Sequence, residues 1–245
     1  MTRKTAQEVL TTVANFCSII EKRVNSRPDQ NSVAKFLGYM EACPGTRLLL
    51  HVDRSDELPD LQPLDHFLQS TERRYDRLRI GHEMILLLLS LGPDWIPDKW
   101  SKNTVVVLHS PGDRHGYPYL SHGPIRQMLK SRSRVVDRRK RAEACLRSLG
   151  VLLLELLFGE PLELRSSQLA ILKPDGQSGN LADELAILMW QKEVEKHFGF
   201  GIAEAIKRCL WCVFEQDADL GNSAFVRAIW ENVALPVGRF ADAFK

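Results

Sequence analysis

Residues Ser148 to Glu163 read S-L-G-V-L-L-L-E-L-L-F-G-E-P-L-E, and this stretch carries the most information about the fold. It is apolar on nearly every side, with one acid, Glu155, inside the apolar run. A helix that is hydrophobic all round lies in the middle of a domain, with other helices around it. The run is too short to span a bilayer, and Gly159 followed by Pro161 predicts its end. The stretch therefore predicts a buried central helix and no membrane insertion.

Length and composition set the class of protein. A chain of 245 residues fits one large domain or two small ones, and 26% charged residues are ordinary for a soluble globular chain. The net charge of +2 does not by itself imply a nucleic acid or an anionic membrane as partner. Five cysteines, an odd number, favour reduced thiols and hence a cytoplasmic or nuclear protein.

Apolar periodicity and turn residues predict a mainly helical chain with a few early strands. Helices are predicted at residues 5–24, 61–69, 73–91, 137–158, 181–197, 201–215 and 222–234. Strands are predicted at 36–40 and 48–52, paired as a hairpin, and at 104–108. A linker is predicted at 53–60, and loops at 110–124 and 164–180.

The central motif S-x-G-V-x-L-x-E-L, beginning at Ser148, resembles the central helix of the large lobe of protein kinases. The order of the other predicted elements is similar to a kinase entered part-way through its small lobe. More narrowly, the chain resembles a fungal family of kinase-like domains found behind HeLo-type or prion-inhibition-and-propagation domains. The phrases that carry this resemblance are Phe36-Leu37-Gly38-Tyr39-Met40-Glu41, Trp100-Ser101-Lys102, Pro118-Tyr119-Leu120-Ser121, Leu149-Gly150 to Pro161-Leu162-Glu163, Arg208-Cys209-Leu210 and Phe225 to Pro236.

The resemblance implies a fold class and a division of the chain. The expected fold is mainly α (α+β), a degenerate kinase-like large lobe with a truncated small-lobe remnant. The remnant, a helix and a β-hairpin, would occupy residues 1–58. The helical large lobe would occupy residues 59–245.

The catalytic motifs of kinases are mostly missing from the corresponding positions. The catalytic loop H-R-D-x-x-x-x-N is replaced by a segment in which only Asp98 and Asn103 keep the spacing of a base and a metal-binding amide. A register shifted by one residue would put Lys99 and Thr104 in those places. The phosphate loop and the ATP-binding lysine would precede residue 5, so no residue takes those roles. The resemblance thus implies an inactive, kinase-like regulatory or protein-interaction module, with no cofactor and no metal.

Two sets of residues are candidates for contact with a partner. The tryptophans of the loop before the third strand, Trp95 and Trp100, suit a protein partner. The segment 130–141 is strongly basic and would suit a nucleic acid or a nuclear adaptor, although a solvated surface is the plainer interpretation. Its candidate residues are Lys130, Arg132, Arg134, Arg138, Arg139, Lys140 and Arg141.

Three functional hypotheses remain open at this point. The first is the inactive interaction module, acting on an unidentified protein in fungal self/non-self recognition or stress signalling. The second is an atypical phosphotransferase that uses Asp98 and Asn103. The third is the nucleic-acid adaptor.

Two further features are interpreted as structural. Glu155 needs a partner if it is buried, and Arg208 is the predicted one. The C-x-x-C at Cys209 and Cys212 lacks a second ligand pair, which indicates buried structural cysteines.

Overall fold

The computed structural model describes residues 34–43, 46–53, 60–91, 101–109, 116–120, 137–171 and 179–244. The chain divides into two compact units, residues 1–58 and 59–245. In the first unit, β1 (Ala34–Cys43) and β2 (Thr46–Asp53) form an antiparallel hairpin that runs from the pair Cys43 and Thr46 to the pair Ala34 and Asp53. The predicted hairpin is confirmed, whereas the predicted helix at 5–24 lies outside the described residues.

The second unit begins with a small antiparallel sheet and two helices. The sheet has the order β3 (Asp60–Pro63), β4 (Val105–His109), β5 (Gly116–Leu120). Helices α1 (Leu64–Ser70) and α2 (Arg74–Ser90) lie between β3 and β4 along the chain. The predicted helix at 73–91 and the predicted strand at 104–108 are confirmed to within a residue.

The rest of the second unit is helical. It comprises α3 (Arg138–Phe158), α4 (Leu162–Ile171), α5 (Gly179–Phe198), α6 (Phe200–Trp211), α7 (Ser223–Ile229), a π-helical segment (Trp230–Ala234) and α8 (Leu235–Asp242). The described part of the chain is therefore mainly helical, as predicted. None of its helices is both long and apolar enough to cross a bilayer.

Helix α3 is the centre of the core, as its sequence predicts. It packs against α2, α6 and α5, and Leu152, Leu153 and Leu156 are almost fully buried. The close approach of α6 depends on Gly150, because a Cβ atom there would come within 3.0 Å of a Leu210 methyl group. The all-round apolar pattern is thus explained by helices on several sides.

The carboxyl end of α3 is closed by a glycine and by an arginine from another helix. Gly159 has φ 73°, a left-handed conformation that glycine adopts without strain, and its N–H donates to Glu155 O at 2.7 Å. The buried side chain of Arg77 on α2 donates from Nε to Leu156 O at 3.0 Å. The last turn of a helix leaves carbonyl groups without partners, and Arg77 satisfies one of them.

Three predicted boundaries differ from the observed ones. The helix predicted at 61–69 begins only at Leu64, after strand β3, since Pro63 disfavours helical geometry at the residue before it. Most of the linker predicted at 53–60 lies outside the described residues. The loop predicted at 110–124 contains β5, since Pro118 is tolerated on the edge strand of this sheet. The loop predicted at 164–180 contains most of α4.

The last two predicted helices also differ in length from the observed ones. Helix α6 ends at Trp211, and the next residue, Cys212, has φ 49°. The helix predicted at 222–234 continues through the π-helical segment into α8 as far as Asp242. Pro236, which has no N–H to donate, lies at the start of α8, where the π-helical segment passes into α-helix.

Candidate functional site

Glu155 is the buried acid of the central helix, and its carboxylate joins three segments of the chain. Its side chain is only 2% exposed. Its Oε1 atom lies 2.9 Å from Lys102 Nζ and accepts a hydrogen bond from Leu162 N at 2.8 Å. The second contact places the carboxylate at the amino end of α4, where N–H groups lack helical partners. This contact explains why a segment that follows Pro161 is helical and not a loop.

Lys102 reaches Glu155 from the turn that precedes β4. Ser101 and Thr104 close this turn, with Thr104 N donating to Ser101 O at 2.9 Å and Ser101 N donating to Thr104 Oγ1 at 2.9 Å. The side chain of Lys102 is 13% exposed, and its ammonium group also binds Glu163 and lies 3.8 Å from Asp65 Oδ1. One ammonium group therefore serves three carboxylates, from α1, α3 and α4.

Burial and charge shift the pKa values within this cluster in different directions. Burial raises the pKa of Glu155, although the Leu162 N–H and the Lys102 charge oppose the shift. Burial alone would lower the pKa of Lys102, but its hydrogen bond to Glu163 and the charge of Glu155 outweigh it, so this pKa is raised. Burial alone would raise the pKa of Glu163. The hydrogen bond from Lys102 outweighs burial, so the pKa of Glu163 is lowered. The Lys102 ammonium group is thus stabilised in its protonated form, whereas burial disfavours the charged form of Glu155.

A groove of about 320 Å³ lies beside this cluster. Its walls are both charged and apolar; its lining residues are Ser101, Lys102, Ala144, Arg147, Ser148, Val151, Leu152, Glu155, Leu162 and Glu163. The Oε2 atom of Glu155 is buried and has no hydrogen-bond partner among the described residues. This oxygen is an unpaired acceptor inside the protein, and its burial closes it to a group in the groove. We refer to this feature as the Glu155 groove.

The predicted pairing of Glu155 with Arg208 is wrong. Arg208 Nη1 donates to Val213 O at 3.1 Å, and its guanidinium carbon lies 5.9 Å from the centre of the Phe214 ring. The partner of Glu155 is Lys102. The burial of Glu155 and its need for a cation could be predicted, but the choice of cation required the packing of the turn against α3.

The remaining candidate residues fall into two groups. Asn103 is exposed in the turn next to Lys102. The candidates that lie outside the described residues are Asp98, Trp95, Trp100, Lys130, Arg132 and Arg134. Whether Asp98 and Asn103 act together therefore stays a prediction.

The described part of the basic segment lies at the start of α3. Arg138, Arg139 and Lys140 are exposed, and Arg141 is half-buried. Arg138 Nη1 lies 3.6 Å from Asp219 Oδ2, and Arg139 Nε donates to Glu143 Oε1 at 2.8 Å. Both charges are therefore partly balanced within the chain.

Of the two C-x-x-C cysteines, Cys209 is buried as predicted, whereas Cys212 is half-buried. Cys209 is buried in α6, and burial raises the pKa of its thiol. Burial also raises the pKa of Cys212 to about 11. A thiol with a raised pKa is a poor nucleophile and a poor metal ligand at neutral pH.

Lys102 and Glu163 are the members of the site that sequence reasoning missed. Both lie inside phrases that carry the kinase-like resemblance, but neither phrase indicates a charge pair. The available signal was the buried acid itself, because a buried carboxylate needs a nearby cation.

The family of the chain follows from residues 47–233, which match the family model DUF7580, a domain of unknown function. This range includes the central helix, the Lys102 turn and the Glu155 groove, and it covers most of the chain. The protein therefore belongs to the DUF7580 family. None of the curated proteins compared with the chain matches it significantly.

Glu155 should make the protein less stable as the pH rises. The pKa of Glu155 in the folded state lies above the ordinary value of 4.5. At a pH between these two pKa values, the unfolded state has released a proton that the folded state keeps. Unfolding is favoured across that window. The free energy of unfolding of the wild type, measured in urea, should therefore fall relative to that of Glu155→Gln as the pH rises from 4.5.

Glu163→Gln is the matched control, because the pKa of Glu163 is shifted the other way. Its contribution is fully present above 4.5 and is lost as the pH falls through the lowered folded pKa. The difference in stability between wild type and Glu163→Gln should therefore be constant above pH 4.5 and should shrink only on the acid side. A wild-type advantage over Glu155→Gln that grows with pH would show that Lys102 outweighs burial, contrary to this prediction.

Proposed function

We propose that the chain is a catalytically inactive, kinase-like regulatory module that acts by binding a protein partner. The setting that the resemblance implies is fungal self/non-self recognition or stress signalling, in the cytoplasm or the nucleus. The order of the described elements supports a kinase-like large lobe: two helices, a turn that leads into a strand, and then the buried central helix.

The observation that carries the proposal is the ion pair between the turn and the central helix. The turn that contains Asn103, the candidate metal-binding amide, also contains Lys102. The carboxylates that meet at this turn, those of Glu155, Glu163 and Asp65, are arranged around an ammonium group. Phosphoryl transfer needs carboxylates that hold Mg²⁺ against the phosphates. A cluster built around a lysine suits structural anchoring or recognition better than metal binding.

The Glu155 groove gives the module a surface with which to bind. It combines the charged side chains of Lys102 and Glu163 with apolar walls at Val151, Leu152 and Leu162. Recognition sites for proteins combine apolar area with a small number of polar groups that fix orientation. The nucleic-acid alternative is less favoured, because Arg138 and Arg139 already contact acidic side chains.

Nucleotide binding separates this proposal from the phosphotransferase alternative. A ligand at about 100 times its dissociation constant stabilises a protein by about 2.7 kcal/mol, which is easily seen as a rise in melting temperature. We expect no rise with millimolar ATP and Mg²⁺. A rise that requires Mg²⁺, is abolished by Asp98→Asn and survives the control Asp94→Asn would instead establish the phosphotransferase.

A further inference from the structure

We propose that the outer face of α5 is a surface through which two copies of this chain associate as an antiparallel, two-fold symmetric dimer. The surface, called the Leu188 face, consists of Leu181, Leu185, Leu188 and Met189 on α5 and of Trp211 at the end of α6. The inference goes beyond the proposed function, because it concerns self-association. None of the five residues lines the Glu155 groove.

The Leu188 face is apolar although it is directed toward solvent. Leu181, Leu188 and Met189 are exposed, and Leu185 is half-buried. Positions 181, 185 and 188 follow the spacing of a single helix face. The opposite side of α5 already fills the core, so the exposed leucines are not needed to hold the helix in place. An exposed apolar row on a helix that is already anchored marks an interaction surface.

Trp211 extends this apolar surface beside Leu188. Its Nε1 atom donates to Gln191 Oε1 at 2.9 Å, and its ring lies 5.4 Å from the guanidinium carbon of Arg147, which also binds Glu184. Glu184 and Gln191 lie one turn before and one turn after Leu188, so the ring lies on the side of α5 that carries Leu188. These contacts fix the half-exposed ring in advance, which reduces the entropy that an interface anchor loses on association.

The charges next to the Leu188 face match a second copy of the same helix. In an antiparallel pair with its two-fold axis at Leu188, residues equally far before and after Leu188 lie opposite each other. Glu184 lies four residues before Leu188 and Lys192 four residues after it, and both are exposed. Each copy therefore places an acid opposite a base of the other. A parallel pair would instead oppose like charges, which disfavours it.

A second copy needs no further surface, because a two-fold interface uses the same patch on both chains. Leu188 would meet Leu188 at the axis, and the two Trp211 rings would lie on the same side of the helix pair. Antiparallel helices pack in this way with their axes about 8–10 Å apart. One helix face and one tryptophan from each copy make a small interface, so we expect a reversible dimer.

Sedimentation equilibrium of the full chain measures the self-association directly. Between about 1 and about 200 µM chain, a range that covers weak to moderate association, the average mass should rise from that of the monomer toward twice that value. A chain that stays monomeric over the whole range would overturn the proposal. A mass that rises beyond the dimer would also contradict it, because a two-fold interface closes with two copies.

Two leucine variants locate the interface. Leu188→Arg should raise the dissociation constant of the dimer by about tenfold or more, because a charge at the axis meets its own copy. Leu61→Arg is the matched control: Leu61 is more exposed than Leu188, at 59% against 39%, and belongs to β3. It should leave the dissociation constant unchanged. Equal effects of the two variants, or no effect of Leu188→Arg, would assign the association to another surface and overturn the proposal.

An exchange of charges tests the antiparallel arrangement. Lys192→Glu alone should weaken the dimer by about tenfold, because symmetry opposes two acids at both ends of the helix pair. In the background of Glu184→Lys the same change should tighten the dimer, since it restores opposite charges across the axis. This reversal of sign is the decisive result. If Lys192→Glu fails to tighten the dimer in the Glu184→Lys background, the two-fold pairing through Leu188 is wrong.

Discussion

Lys102→Met should lower the free energy of unfolding by about 3–5 kcal/mol, the usual cost of removing one partner from a buried ion pair. The methionine keeps most of the apolar stem but leaves the charge of Glu155, which is 2% exposed, without its cation. Urea unfolding at neutral pH measures the loss. It should be among the largest effects of any single change near the site.

Two comparisons show whether the loss arises from the unpaired carboxylate. Lys207→Met removes a more exposed lysine that pairs with Glu204, and it should change stability by less than about 0.5 kcal/mol. The double variant Lys102→Met, Glu155→Gln should recover more than half of the loss, because the buried charge is then gone. A loss below about 1 kcal/mol for Lys102→Met alone would mean that the pair contributes little.

Arg77→Met should lower the free energy of unfolding by about 3–4 kcal/mol, since hydrogen bonds from a charged donor contribute about 1.5–3 kcal/mol each and do not add fully. Arg77 Nε donates to Leu156 O at 3.0 Å, and Nη1 donates to Thr71 O at 2.7 Å and Glu72 O at 2.9 Å. One buried side chain of α2 thus joins the segment before α2 to the end of α3. Methionine fills a similar volume but donates no hydrogen bond.

Arg77→Lys and Arg74→Met are the informative comparisons. Lysine keeps the charge but lacks the planar fork, so it should recover roughly half of the loss at most. Arg74 is exposed and lies over the Phe198 ring at 5.3 Å, a contact that contributes about 0.5–1 kcal/mol. If Arg77→Met and Arg74→Met were equally mild in urea unfolding, the capping role of Arg77 would be wrong.

Much of the helical part of the fold could be predicted from local sequence. The apolar run from Ser148 predicts α3, and the periodicity of 73–91 predicts α2, because the signals for both lie within the segments themselves. The hairpin of β1 and β2 follows from two apolar runs around a short turn. These elements are specified by residues close to one another in the chain.

The errors lie where a distant contact decides the local structure. Strand β5 contains Pro118 and is stabilised by pairing with β4, which a local pattern does not reveal. Helix α4 begins where Leu162 N donates to Glu155 Oε1, a contact from the preceding helix. In both places a tertiary hydrogen bond outweighs the tendency of the sequence to form a loop.

The central buried helix, the mainly helical class and the need of Glu155 for a partner follow from the amino-acid sequence of this protein alone. An apolar run must be shielded from water, and a carboxylate within it must be compensated. The identity of the partner, Lys102, and the position of the groove were decided only by the tertiary structure. Both depend on how the turn before β4 packs on α3 and α4. The distance between this turn and the two helices cannot be predicted from the spacing of residues along the chain.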